Sequence, residues 1–330
     1  MNQGNRIFKW LCFLIIIVVA VLAALYYFRD MKIKQCIKQL KDDDWKIRMK
    51  AEDYLVMLHA SDYAGNIALL LKDKNAGVRA DTAGLLGRLG VKEYTKDISQ
   101  LLNDEDWTVR YFATFALAQL EAKKYSKNIS QLLKDESNKV RESAIYALVQ
   151  LNAREYVRDI VSLLKDEDRY VKRDAINAII YFGAEEYAKD ISELLNNVVS
   201  YELDDVARAL AALNAKEYAK GYLVDIVRLL KEGDASLRGI AAQALGWLDA
   251  KEYTMDIAEL LRDTHPKVQG EAIWALGKLN ANEYASELSK LIGDMNKCDV
   301  YDTTGKERKR TTISEIATQV LQGWNSNLGK

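Results

Sequence analysis

Apolar residues recur along most of this chain with a helical period. In Val91–Leu120 (VKEYTKDISQLLNDEDWTVRYFATFALAQL), Tyr94, Ile98, Leu101 and Leu102 fall at i, i+4, i+7 and i+8, and Val109, Ala113, Ala116, Leu117 and Leu120 repeat that pattern. Both halves therefore predict amphipathic helices. Between them Asn103-Asp104-Glu105-Asp106 supplies turn residues, with Asp106 placed to accept from the first free amides of the second helix. The segment repeats: Tyr63, Tyr94, Tyr125, Tyr156, Tyr187, Tyr218, Tyr253 and Tyr284 are spaced by 31 residues, except for one spacing of 35. A fixed period of this size predicts stacked helical hairpins, each leaving an apolar side uncovered until the next unit packs on it. After each second helix comes a position that wants a left-handed residue. Gly90, Asn152, Gly183, Asn214 and Asn280 fill it, with Glu121 and Asp249 as departures.

An acidic residue stands six positions before a basic one at the start of the second helix, as Asp42/Arg48, Asp73/Arg79, Asp104/Arg110, Asp135/Arg141, Asp166/Lys172 and Glu232/Arg238. From Met31 to Trp324 the chain thereby resembles the HEAT-like helical repeats, in the short bacterial form first described in phycobilin lyases. The resemblance implies an all-α fold: a right-handed α-α superhelix, with an acid–base ladder between stacked units and the second helices on the concave face. The count is about eight full repeats behind a partial first one. Asn197/Leu203 and Asp263/Gln269 break the ladder pattern and mark places where the stack bends or something else binds.

Leu11–Phe28 is an apolar run of 18 residues without Gly, Pro or charge, flanked by Arg6 and Lys9 before it and by Arg29, Lys32 and Lys34 after it. That length spans a bilayer core, and Trp10, Tyr26 and Tyr27 lie where interfacial aromatics belong. A cleaved signal peptide is the competing reading, with Val21-Leu22-Ala23 as an acceptable site. Its apolar region is normally about 7–15 residues, so the expectation is an uncleaved single-pass anchor. Orientation stays open. Lys and Arg after the run favour a cytoplasmic array, whereas the short basic N-tail has the order of an export signal, which leans slightly to the non-cytoplasmic side. The expected organisation is a tail and anchor in 1–28 followed by the repeat array in 29–330. Met31–His59 would close the array next to the membrane, with no Pro- or Gly-rich linker between.

Charge is nearly balanced, 47 basic against 48 acidic residues. Nucleic-acid binding draws its affinity from phosphate neutralisation, so no nucleic-acid partner is expected. Cys12, Cys36 and Cys298 form neither a disulfide framework nor a metal-ligand spacing. His59 and His265 are the only histidines, too few for a Ser/His/Asp or Cys/His set. HEAT-repeat hydroxylases need several His-Glu pairs, and here Ala60 and Pro266 follow the histidines. No enzyme, cofactor or metal is expected.

Placing side chains about 100° apart puts the positions two and six after the motif valine opposite the buried face. Tyr111, Phe115 and Tyr146 fall there, large aromatics that either pack sideways or bind a partner. Gly239, Gly246, Gly270 and Gly277 strip side chains beside Trp247 and Trp274. This costs roughly 1 kcal/mol per glycine, which the close approach of another backbone or a flat ligand would justify. Gly221-Tyr222-Leu223-Val224 lengthens or kinks the first helix of repeat six. An insertion of about 14 residues near 295–311 reads as a hairpin whose tip carries Lys306, Arg308, Lys309 and Arg310, suited to an acidic partner or lipid headgroups. The expected function is a membrane-anchored scaffold for another protein, within a larger membrane complex. The alternative is a cofactor- or pigment-handling protein related to the bilin lyases.

Overall fold

From Trp45–Met57 to Pro266–Lys278 the second helices are regular 13-residue elements apart from the shorter Leu203–Ala212; side-chain N-caps start several of them, and a residue at positive φ stops each. A computed structural model describes residues 3–197, 202–301, 305 and 307–328. The chain falls into two compact units, Met1–Tyr156 and Val157–Lys330. The first contains α1 (Gln3–Gln39) and the second helices α2 (Trp45–Met57), α3 (Ala76–Arg88), α4 (Trp107–Gln119) and α5 (Asn138–Gln150), packed in that order. The second contains α6 (Arg169–Tyr181), α7 (Leu203–Ala212), α8 (Leu223–Glu232), α9 (Ala235–Trp247), α10 (Pro266–Lys278) and α11 (Ile313–Leu328), with strands β1 (Lys297–Tyr301) and β2 (Arg308–Thr312).

The caps follow the sequence closely. Asp44, Asn75, Asp106 and Asp168 each accept from an amide two residues on, at 2.8–2.9 Å. At the other end, Glu121 and Asp249 adopt the left-handed conformation like the Gly and Asn residues of other repeats, with φ of 53° and 57°. The Ala122 amide then reaches back to the Leu117 carbonyl at 2.9 Å, which satisfies a carbonyl the helix leaves free. Closure of the helix end thus outweighs the strain of a non-glycine residue at positive φ.

The first helices are less regular than the periodicity suggests. Residues 92–103 consist of a 3-10 turn Lys92–Tyr94, an α-helical Thr95–Gln100 and a second 3-10 turn Leu101–Asn103. So short an element has most of its amides and carbonyls at its ends, and tighter i→i+3 bonds satisfy them. In repeat six the extra residues extend the opening 3-10 segment to Lys216–Tyr222, ahead of α8.

The ladder joins neighbouring repeats rather than the two residues of one motif. Arg79 donates Nη1 to the Asp73 carbonyl of its own repeat at 2.9 Å, and Nε and Nη2 to the Asp104 carboxylate of the next at 2.8 and 2.7 Å. Arg110 and Arg238 repeat this with Asp135 and Asp263. The same aspartates accept amides two residues on, so one carboxylate shapes the turn and ties the repeats. Burial pushes Asp104 upward, but the Arg79 hydrogen bond, the Asp106 amide and the nearby guanidinium charges outweigh it and hold its carboxyl below the ordinary range. In the first repeat Arg48 pairs with Asp81 at 2.6 Å instead. Where Asn197/Leu203 lacks the charges, Lys172 pairs with Glu202, one residue earlier. Gln269 bonds to the Leu261 carbonyl, at 3.3 Å.

Candidate functional site

Two stretches of the second-helix face stand out, one in each unit. In the first unit Tyr111 and Phe115 extend from α4 and Tyr146 from α5. Phe115 and Tyr146 stack with ring centroids 4.7 Å apart and an interplanar angle of 21°, and Tyr111 leans on Phe115 at 5.0 Å. The rings do pack sideways, yet Tyr146 stays 41% exposed and Tyr111 and Phe115 half-buried. Phe112, which the outward positions did not include, joins Tyr111 edge-on at 5.3 Å and is 38% exposed. Gly84 of α3 makes its room, since a Cβ there would lie 3.3 Å from the Phe112 ring. Further along this face Arg88 pairs with Glu52 and Asp53. Burial, reinforced by the charge of Asp81, pushes Glu52 up to about 8.

In the second unit the corresponding face is covered by the chain's own hairpin. β1 and β2 pair antiparallel with Val300 opposite Lys309 and Tyr301 opposite Arg308. Alternation along β1 turns Cys298 and Val300 inward, to 4% and 1% exposure. Both come down on α10 at Gly270, where a Cβ would stand 2.8 Å from Cys298 Sγ and from Val300 Cγ1. The backbone that the glycine admits is therefore the protein's own. Gly246 and Gly277 likewise make room for Trp274 and Val320 of the same unit.

This corrects the expectation that Trp247 and Trp274 border an open face. They are 8% and 2% exposed, because Tyr301 packs on both, at 5.5 and 5.8 Å, and Gly305 abuts Trp247. Arg308 reaches inward with its guanidinium while its side chain stays 38% exposed. Its guanidinium donates to Glu271 Oε1 at 2.6 Å and to the Asp299 carbonyl at 2.8 Å, and lies 5.0 Å over the Tyr301 ring. Lys309 stays exposed beside Glu307 at 3.9 Å, and Arg310 is exposed. Lys306 lies outside the described residues.

Under the hairpin a polar network closes. Gln243 donates to Glu271 Oε2, Trp247 Nε1 donates to Asp204 Oδ1 at 3.0 Å, and the Tyr301 hydroxyl donates to Asp204 Oδ2 at 3.2 Å. Burial pushes Glu271 up to about 8 in spite of Arg308, and it raises Asp204 as well. Tyr301 and Cys298 are both pushed up to about 12, first by burial and then by the neighbouring carboxylates. Glu271 sits three residues after its motif valine, on a part of the turn the outward positions did not cover, and nothing local marks it as buried.

Beside the hairpin a cleft of about 640 Å³ is lined by Arg208, Lys216, Trp247, Lys278 and Tyr301 among others. Its three cations and aromatic wall suit a flat anion. Among the described residues no group of three or more His, Cys, Asp or Glu side chains is arranged to hold a metal ion.

Comparison with known proteins agrees with this architecture. The HEAT-repeat profile matches residues 63–127, 125–214 and 225–300. No curated protein sequence matches the chain. Among solved structures, a chain of the Kap95:Nup1 complex is similar with a TM-score of 0.64 and 14% identity, over 79% of this chain and 42% of that one. The YibA protein of E. coli is similar with a TM-score of 0.53 and 19% identity, over 91% of this chain and 96% of that one. A chain of the CpcE–CpcF complex of phycocyanin lyase from Nostoc sp. PCC7120 aligns over 88% of this chain and 94% of its own, with a TM-score of 0.38 and 16% identity. With three profile matches spanning most of the repeats and the helical hairpins stacked as described, the chain belongs to the HEAT-repeat family.

Proposed function

We propose that this protein is a membrane-anchored scaffold whose first unit presents the face around Tyr111, Phe115 and Tyr146 to another polypeptide. A contrast between two equivalent faces carries the reading. Phe115, Tyr146 and Trp274 all stand six residues after the motif valine of their repeats. Trp274 is sealed by the chain's own strand, whereas Tyr146 is left 41% exposed with a ring stacked beside it. Contiguous exposed aromatic surface of this kind marks interaction sites. Stacked repeats also supply the extended binding surfaces their families use. The anchor rests on the N-terminal helix, which is long and apolar enough to cross a membrane. Lys309 and Arg310 offer a second, basic contact for an acidic partner.

Affinity capture of the full chain in detergent, followed by mass spectrometry, tests this reading. Phe115→Ala combined with Tyr146→Ala is expected to lower partner recovery by about tenfold or more, as loss of aromatic anchors does, with helicity unchanged. Equal recovery by a folded double variant would remove the aromatic face from the account. The cationic cleft beside Trp247 supports a second reading, capture of a flat anionic small molecule. A visible absorbance band in the purified protein would favour it.

A further inference from the structure

α1 is at once the apolar helix and the first helix of the repeat array. It runs without a break from Gln3 to Gln39, and no Gly or Pro lies between Gly4 and Gly65 to hinge it. Residues from Trp10 to Tyr27 are exposed, whereas Ile33, Cys36 and Leu40 are fully or almost fully buried within the first repeat. The junction is tied on both sides. Arg29 donates to the Leu58 carbonyl at 3.1 and 2.9 Å and to the His59 carbonyl at 3.0 Å, and the Tyr63 hydroxyl donates to Asp30. The turn that follows α2 is thereby held at the level where the apolar run ends, one residue past Phe28.

We propose that the edge of the first unit formed by the turns after its second helices lies against phospholipid headgroups. The inference rests on the anchor reading above and adds an orientation to it. α2 packs alongside α1, and α3, α4 and α5 follow side by side. Helices that share the direction of a spanning helix stand along the membrane normal, so the stacking direction lies in the membrane plane. The turns 58–63 and 89–94 then face the bilayer. The opposite edge, around Lys74 and Glu105, stands higher by the length of a 13-residue helix, about 20 Å.

Interaxial distances near 9 Å place the second turn close to the first. A span tilted by about 20° would lift the fourth turn by only ~10 Å. Headgroup layers add roughly 5–7 Å per leaflet to the hydrocarbon core, so contact is strongest at the first two turns. At the first turn Met57, 63% exposed, can sink toward the acyl boundary beside the exposed His59 and Asp62, and at the second turn Lys92 is exposed and paired with Glu121 at 2.7 Å.

The test uses the full chain, with Cys12→Ser, in phosphatidylcholine vesicles whose choline carries a nitroxide. Cys36 and Cys298 are buried, so a fluorophore reports from one added cysteine at a time. Labels at Ser61→Cys and Glu93→Cys are expected to be quenched at least about twofold more than labels at Lys74→Cys and Glu105→Cys, because the far edge lies beyond the headgroup layer. Equal or reversed quenching in protein that floats with the vesicles overturns the orientation and leaves the anchor standing. Protein that does not float overturns both.

Discussion

Glu271 shows how a single side chain takes its chemistry from elements remote in sequence. Its carboxyl is 1% exposed, under a hairpin whose nearer strand begins 26 residues later, and burial carries it up to about 8. Between its ordinary value and 8 the folded protein holds a proton that the unfolded chain releases. Stability therefore falls as pH rises through that window and is independent of this group above it. Glu271→Gln, neutral at every pH, is expected to flatten the decline in the unfolding midpoint followed from pH about 5 to about 9. Part of the slope should remain, since Glu52 in the first unit is raised to about 8 by the same cause. A wild-type midpoint that rises over this range would contradict the burial argument. None of this was legible from Glu271 itself. The ladder residues were legible, because Asp104 and Arg110 recur at fixed offsets. That the ladder runs between stacked units came with the family resemblance, and Arg79, Arg110 and Arg238 each reach the next repeat's aspartate as it implies.

Among the elements, the hairpin Lys297–Thr312 departs most from the repeat. Its existence follows from the alternation at Asp299-Val300-Tyr301 and the glycine turn, but its destination does not. Gly270 fits it to α10, and a methyl group there would meet Cys298 Sγ and Val300 Cγ1 at 2.8 Å. Overpacking costs typically 1–3 kcal/mol, so Gly270→Ala is expected to raise the open fraction of the hairpin by roughly tenfold. Trypsin cleavage at Arg308, Lys309 and Arg310 should accelerate accordingly while the helical signal persists. An unchanged cleavage rate would show that the strand is not held by this contact. The N-cap at Asp106 and the left-handed stops from Gly90 to Asn280 were legible to the residue, because capping is local. Residues 92–103 were legible as helical but not as a 3-10, α, 3-10 sequence, since apolar spacing does not distinguish i→i+3 from i→i+4 bonding over so short a span.

At the scale of the whole molecule there are two compact units, the first of which begins with the apolar helix, and the core of each is built from the same repeated positions. If residues 1–28 serve only as the anchor, the chain shortened to 29–330 is expected to leave the membrane fraction with its far-UV helicity intact. It retains Arg29 and the contacts to Leu58 and His59 that close the first repeat. Vesicle flotation checks this, and a shortened chain that still floats would place the membrane contact in the repeats.

What the amino-acid order determined by itself was whatever depends on neighbours three or four residues away and on recurrence: helix, cap, turn, period, and the apolar run at the start. What only the tertiary structure decided was coverage. Tyr146 and Trp274 occupy the same place in equivalent helices, and local pattern treats them alike. One is exposed and the other sealed because a hairpin inserted within the last repeat folds back over one face and its Arg308 meets a buried carboxylate there. Exposure depends on what packs from outside the element, and a helix's own periodicity carries no record of it.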